Sequence, residues 1–156
     1  MKQIRFYQII TAVCCLLLMS CGIDKNLKKG EKFLALGEYY DAADQFKQAY
    51  TKTPTKERAS RGKIALKMAR CYDKINSTPK AIAAYRNAVR YNQASIDDRL
   101  AYARLLLKNG EYKQAEKEFR ILVDSLPGNM LARNGLKSAQ LAPTWKKEGS
   151  RYKVKK

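Results

Sequence analysis

The sequence predicts an all-α protein, a solenoid of three stacked helix pairs followed by a capping helix. The prediction depends on two features, a fixed order of turn-forming, small, aromatic and proline residues, and the recurrence of that order along the chain. The outer copies are Gly37, Tyr39, Ala42, Phe46, Ala49 and Pro54, and, at identical spacing, Gly110, Tyr112, Ala115, Phe119, Leu122 and Pro127. The middle copy is Asn76, Thr78, Ala81, Tyr85 and Ala88, with Gln93 in the place of the proline.

Each recurring position has a physical reason. Gly or Asn ends a helix at little cost, because it tolerates the left-handed conformation that a tight helix-to-helix turn requires. The alanine that follows lets two helices approach closely, and the aromatic side chain one turn later fills the space beside it. Proline prevents the second helix from continuing. The predicted structural residues of the repeats are Gly37, Ala42, Phe46, Pro54, Ala81, Tyr85, Gly110, Ala115, Phe119 and Pro127.

The same positions divide the chain into segments. The predicted segments are repeats at 23–56, 62–95 and 96–129, a capping helix at 130–142, and a basic tail or linker at 143–156. The few extra residues between the first two repeats are expected to lengthen the start of the third helix. Pro143 is expected to stop the capping helix, since proline lacks the N–H that a helix interior needs. In the tail, Tyr152 and Val154 alternate with basic residues, which suits a strand edge or a linker.

This pattern resembles the tetratricopeptide repeat, a helix–turn–helix unit of about 34 residues. The resemblance covers 23–129, although the Trp that is usual in the first helix is absent. The alternative is a generic amphipathic helical bundle, which three copies in register disfavour. The resemblance implies that the first helices of the repeats line a concave groove that binds another protein. The predicted groove residues are Leu27, Glu31, Leu34, Lys63, Leu66, Arg70, Asp73, Leu100, Arg104 and Leu107.

The resemblance also limits what the groove is expected to bind. Chaperone-binding members hold a peptide carboxylate with a Lys, and Leu27, Leu66 and Leu100 stand at the place of that Lys. A mixed groove with a basic centre at Arg70 and Arg104 therefore suggests an acidic and apolar protein segment, such as a helix.

The N-terminus predicts an exported, lipid-anchored protein. Residues 1–20 begin with basic side chains and continue into the apolar run Ile9–Met19, which is too short to span a bilayer but suits a secretory signal peptide. The run ends at Ser20-Cys21, which resembles a bacterial lipobox with cleavage before Cys21 and acylation of its sulfur. Residues 21–22 would then be the lipidated anchor to the membrane. The alternative is an ordinary signal peptide with chance cysteines.

Resemblance to lipoproteins implies an address. Asp24 is the third residue after Cys21, so an Asp directly after the cysteine, which retains enterobacterial lipoproteins in the inner membrane, is missing. The acidic run of surface-exposed lipoproteins of the Bacteroidota is missing as well. We therefore expect a lipid anchor in the outer membrane, on its periplasmic face.

The whole chain resembles, more loosely, the N-terminal module of PorE-like outer-membrane lipoproteins of the Bacteroidota. The similarity includes the lipobox, the repeats, Pro143-Thr144-Trp145 and the basic tail. In that type IX secretion-associated family a β-propeller and a peptidoglycan-binding OmpA-like domain follow. This chain has neither domain, so peptidoglycan binding does not carry over, and 143–156 would be a linker to a missing domain.

The composition predicts no enzyme, no metal site and no cofactor. The chain has no His, which is the usual general base and a common zinc ligand, and no Gly-rich phosphate loop. Of the four cysteines, two lie in the signal peptide and Cys21 is the lipidation site, so Cys71 alone remains as a thiol. We expect Cys71 to be a small buried residue, with an interchain disulfide as the alternative.

The net charge of +18 leaves two functions open. The excess positive charge lies mostly in 57–95 and 130–156. Nucleic acid is not an expected partner behind a lipoprotein signal. The first hypothesis is a non-catalytic scaffold or assembly protein that binds protein through the concave groove. The alternative is a basic surface that binds anionic lipid or cell-wall polysaccharide through the middle repeat and the tail. A third interpretation is that the lysines only aid solubility.

Overall fold

The structure is a computed structural model that describes residues 23–153, and for residues 145–153 it describes the backbone alone. Within this range the chain forms seven α-helices and no strand, which confirms the prediction of an all-α fold. Helix α1 spans 23–35. The others are α2 Tyr39–Lys52, α3 Arg58–Lys74, α4 Thr78–Arg90, α5 Ile96–Lys108, α6 Tyr112–Ser125 and α7 Met130–Lys153. The predicted signal peptide (1–20), the predicted lipidated anchor (21–22) and residues 154–156 lie outside the described residues.

The odd-numbered helices stand side by side. From α2 onward each helix packs against the next one in the chain, and α5 also contacts α7. Ion pairs join α1 to α3 through Glu31 and Lys67, and α3 to α5 through Arg70 and Asp98. The sides of α1, α3 and α5 that carry these ion pairs therefore lie next to one another. We call them together the concave face, after the groove that the resemblance predicts.

Three turns within the helix pairs have the same geometry. Gly37, Asn76 and Gly110 have φ values of 77°, 56° and 82°. In each turn the next residue donates its N–H to the carbonyl five residues earlier, as Glu38 does to Phe33 at 2.9 Å. This arrangement is a Schellman motif, which satisfies carbonyls at the end of the first helix. Asn92, with a φ of 55°, ends α4 in the same way. The middle repeat thus ends its second helix with a left-handed Asn instead of a proline.

The second helices of the pairs, α2, α4 and α6, place their recurring small and aromatic side chains in the core. The recurring alanines Ala42, Ala81 and Ala115 are fully buried. The recurring aromatics Phe46, Tyr85 and Phe119 are buried beside them. Two of the rings lie against glycines of neighbouring helices. A Cβ on Gly30 would lie 2.7 Å from Phe46, and one on Gly135 would lie 2.2 Å from Phe119, so both helices approach as closely as glycine permits.

The extra residues between the first two repeats lie at the start of α3, where Arg61 contacts the end of α2. Its guanidinium donates to the carbonyls of Thr53 at 2.6 Å and Tyr50 at 3.1 Å, and it lies 4.0 Å from the centre of the Tyr50 ring. A positive charge is favourable at this end of a helix, where carbonyls lack intrahelical partners. The insertion therefore supplies the C-terminal cap of α2.

The C-terminal helix is longer than the sequence predicts. The capping helix was expected at 130–142 and a strand edge or linker at 143–156, but α7 continues through Pro143 to Lys153. An internal proline costs about 3 kcal/mol because it removes one hydrogen bond and crowds the preceding turn. It does not prevent the next turn from forming, and the Thr144 hydroxyl donates to the Leu141 carbonyl at 2.6 Å. The expected stop at Pro143 is corrected accordingly.

Candidate binding surface

Most of the predicted groove residues lie on the concave face. Leu27, Leu66 and Leu107 are partly exposed, one on each of α1, α3 and α5. The remaining members, apart from Leu100, are exposed or partly exposed, namely Glu31, Leu34, Lys63, Arg70, Asp73 and Arg104. Leu100 is 9% exposed and belongs to the core, so its assignment to the groove is corrected.

Arg70 and Asp98 form the centre of this face. The Arg70 Nε and Nη2 donate to Oδ1 and Oδ2 of Asp98, each at 3.0 Å. Such a two-point contact fixes the guanidinium plane as well as its charge. The Asp98 side chain is 6% exposed, whereas that of Arg70 is 57% exposed. The charge of Arg70 is therefore compensated by a buried carboxylate, and a ligand would meet its remaining N–H groups with little net charge.

Asp98 is held in place by its own helix as well. Ser95 is the N-cap of α5, and its N–H and hydroxyl reach Asp98 Oδ2 at 3.0 and 2.6 Å. The Asp98 N–H reaches the Ser95 hydroxyl oxygen in return, which completes a capping box. Burial alone would raise the pKa of Asp98, but the hydrogen bonds from Arg70 and Ser95 outweigh it and lower that pKa below its usual value.

A second ion pair reduces the free charge of the concave face. Glu31 on α1 pairs with Lys67 on α3. In contrast, Lys63 and Arg104 take part in no salt bridge among the side chains that the structure describes. The uncompensated positive charge of the predicted groove therefore lies at Lys63 on α3 and Arg104 on α5.

A cavity of about 450 Å³ opens at the N-terminal end of this face, between α1, the end of α2 and the start of α3. Its apolar lining consists of Ile23, Leu27, Pro54 and Ile64. Its lysines are Lys52, Lys56, Lys63 and Lys67. The cavity joins two predicted groove residues, Leu27 and Lys63, in one recess whose lining also contains the carboxylates of Asp24 and Glu57.

Part of the positive charge of segment 57–95 is used in contacts within the fold. Arg61 binds the end of α2 and Arg70 binds Asp98. Arg86 on α4 pairs with Glu111 at 3.1 Å and also reaches the Tyr102 hydroxyl and Gln114. The prediction of a basic surface in 57–95 depends on the summed charge of that segment. Such a sum does not show which of the charges are paired. The side chains of the basic tail after residue 144 lie beyond those described.

Among the side chains that the structure describes, Cys71 and the acidic residues show no feature of a reactive site. Cys71 is fully buried, and burial raises the pKa of its thiol to about 11, so it is protonated near neutral pH. In the part of the chain that the structure describes, no three His, Cys, Asp or Glu side chains are grouped to hold a metal ion. Over the same residues, no helix has both the length and the apolar character for crossing a bilayer.

Comparison with solved structures decides the fold. The second TPR domain of human RPAP3, in complex with an HSP70 peptide, matches with a TM-score of 0.60 and 16% identity over 78% of this chain and 98% of that domain. The C-terminal TPR-containing domain of a putative Plasmodium falciparum FK506-binding protein gives 0.63 and 16%, over 83% and 93%. The chain has the tetratricopeptide-repeat fold. The first TPR of Spaghetti (RPAP3), bound to an HSP90 peptide, gives 0.59 and 18%, over 80% and 95%.

The likeness is one of tetratricopeptide structure rather than of sequence. No protein-family model and no curated protein matches the sequence. The low identities fit a fold that depends on small and aromatic residues at a few positions. The comparison therefore shows the fold of this chain and no more. Evidence for a binding groove comes from the side chains of the chain itself.

Proposed function

We propose that this chain is a non-catalytic scaffold or assembly protein whose concave face binds a segment of another protein. The observation that carries the proposal is that each of the neighbouring helices α1, α3 and α5 has a partly exposed leucine, Leu27, Leu66 or Leu107, and that Lys63 on α3 and Arg104 on α5 are exposed. Apolar residues in a shared recess with a few charged groups are typical of grooves that hold an extended or helical segment. The peptide complexes among the structurally similar domains support the same use of the fold.

The side chains favour an acidic and apolar segment rather than a free peptide carboxylate. Leu27 and Leu66 stand where chaperone-binding relatives have Lys, and Leu100 is buried at the third such place. Carboxylates of the partner would pair with Lys63 and Arg104, while its apolar side chains would cover the leucines. The Arg70–Asp98 pair would give hydrogen-bond donors and specificity rather than net attraction.

We further propose that the protein is tethered by acylated Cys21 to the periplasmic face of the outer membrane. The lipobox and the residues that follow it support this location. The resemblance to PorE-like lipoproteins supports a role beside the type IX secretion machinery. With a short anchor, the solenoid would lie close to the bilayer.

Site-specific crosslinking tests the groove. A photo-activatable residue placed at Leu66 or Leu107 in the full chain is expected to form an adduct with one defined partner in cells. The matched control position is Lys117, which is exposed on α6, away from the concave face. Adducts with the same partner from Lys117 but not from Leu66 or Leu107 would overturn the proposal.

A further inference from the structure

The outer face of α1 is a stripe of lysines. Lys25, Lys28, Lys29 and Lys32 are all exposed, and their spacing of three, four and seven residues places them on one side of the helix. The opposite side of α1 packs inward, where Asn26 and Gly30 are buried. We call these four residues the α1 lysine stripe.

Acidic residues of α1 lie off this stripe. Glu31 points toward α3, where it pairs with Lys67, and Asp24 lines the cavity at the end of the concave face. No lysine of the stripe takes part in a salt bridge among the described side chains. The two signs of charge are therefore separated around one helix, with the lysines on one side and the exposed carboxylates of Asp24 and Glu31 toward the cavity and α3.

The exposed face of α6, in contrast to the α1 lysine stripe, carries charges of both signs. There Lys113 and Lys117 alternate with acidic side chains, and Arg120 pairs with Glu116 at 2.7 Å within the same helix. A mixed face of this kind is what solubility needs. An unmixed lysine stripe repels itself and instead complements a surface of fixed negative charge.

We propose that the α1 lysine stripe binds the anionic headgroups of a phospholipid bilayer and orients the solenoid on it. A straight helix presents its stripe along a line of about 10 Å, which suits a plane of headgroups. Leu36, 62% exposed, follows Lys32 by one turn and adds an apolar contact at the end of the stripe. The contact does not depend on acylation, and it leaves the concave face clear of the lipid because Glu31, which reaches toward α3, lies off the stripe.

Vesicle co-sedimentation of the full chain tests the stripe. The probes are vesicles of phosphatidylcholine alone and of phosphatidylcholine mixed equally with phosphatidylglycerol, so that any apolar contribution of residues 1–22 is common to both. The variant replaces all four lysines with Gln, which has a similar helix propensity. Each lysine near an anionic surface strengthens association about fivefold, so the preference for anionic vesicles is expected to fall about a hundredfold or more.

Two further variants make the result decisive. Replacing Lys108, Lys113, Lys117 and Lys137 with Gln removes the same net charge from exposed positions elsewhere and is expected to change the preference less than tenfold. Replacing the four stripe lysines with Arg keeps the charge and is expected to preserve binding. The proposal is overturned if both Gln variants lose equally, if the Arg variant binds as weakly as the stripe Gln variant, or if the unaltered chain does not prefer anionic vesicles. In the last case, an acidic protein would be the occupant to consider.

Discussion

Arg70 on α3 and Asp98 on α5 join two repeats by a two-point salt bridge, with both nitrogen–oxygen distances at 3.0 Å. One partner is buried and the other is mostly exposed. The pair therefore stabilises the packing of α3 against α5 as well as shaping the surface, since a buried carboxylate without a partner is costly. It also explains why the basic centre expected at Arg70 carries little free charge.

The first prediction is that Arg70→Ala destabilises the fold. Leaving a buried acceptor unsatisfied costs about 1–3 kcal/mol, so the free energy of unfolding should fall by that amount in urea denaturation. Arg104→Ala is the control, because Arg104 is exposed and takes part in no salt bridge within the described residues, and it should change stability by less than about 0.5 kcal/mol. A double-mutant cycle with Asp98→Ala should give a coupling energy of about 1 kcal/mol or more. A coupling energy near zero would mean that the pair does not form in solution.

The second prediction concerns pH. The pKa of Asp98 in the folded chain is lower than its ordinary value of 3.8, so the carboxylate form is stabilised by folding. This contribution is complete above the unfolded-state pKa and is lost as pH falls through the folded-state pKa. The stability advantage of the unaltered chain over Asp98→Asn should therefore be constant near neutral pH and shrink below about pH 4. Urea midpoints across this range measure it, and an advantage that stays constant down to acid pH would contradict the assignment.

The sequence predicts the architecture because each structural position is decided locally. Gly37 and Gly110 end helices through their own backbone freedom, and Ala115 and Phe119 need only helical periodicity to face the core. The partner of Arg70 could not be predicted in the same way. Asp98 lies in another repeat, and its nearer signal, the capping box with Ser95, indicates only a helix start.

Two other features show different limits of the sequence. The α1 lysine stripe is visible in the spacing of the lysines, but summing charge over a whole repeat hides it because the acids of α1 lie on other faces. The prediction that Pro143 ends α7 is wrong, since the proline weakens the helix without ending it. Helical periodicity is enough to find the lysine stripe. Whether α7 continues past Pro143 depends on the summed stability of all its turns, which no single residue shows.

The third prediction concerns close helix contact. Gly135→Ala would place a Cβ 2.2 Å from the buried Phe119 ring. Overpacking of this kind costs about 1–3 kcal/mol. The higher helix propensity of Ala, worth about 1 kcal/mol, offsets only part of that cost, so the midpoint of denaturation should fall. Gly128→Ala is the control, because a Cβ there meets no atom within 4 Å, and it should leave the midpoint nearly unchanged. Equal midpoints for the two variants would mean that α6 and α7 pack less closely than described.

The fourth prediction concerns the proposed anchor. Cys21→Ser removes the sulfur that acylation requires, so the protein should lose its detergent-phase partitioning while keeping the helical circular dichroism of the solenoid. Cys71→Ser is the control for the loss of a thiol, and it should affect stability rather than partitioning because Cys71 is buried in the core. Full retention of Cys21→Ser in the detergent phase would contradict the lipobox interpretation.

The last prediction separates binding from stability on the concave face. Lys63 and Arg104 take part in no salt bridge among the described side chains, so Lys63→Glu with Arg104→Glu should leave the urea midpoint within experimental error. The same double reversal places like charges against an acidic partner, which costs several kcal/mol across a desolvated contact and should abolish recovery of the crosslinked partner. Arg70→Glu should behave differently, because it confronts the buried Asp98 with a second carboxylate and unfolds the chain more easily.

The control for this comparison is Lys113→Glu with Lys117→Glu, which makes the same change in net charge on the outer face of α6. It should affect neither stability nor recovery of the partner. Stability and binding are thus measured on the same three variants, and each has a distinct expected pattern. If the α6 reversal removes the partner as effectively as the concave reversal, the partner responds to net charge and the concave face is not its site. A stable salt bridge to Asp98 predicts that Arg70→Glu lowers the urea midpoint and also reduces recovery of the partner. If Arg70→Glu removes the partner and leaves the urea midpoint unchanged, the salt bridge contributes little to stability and Arg70 is available for binding.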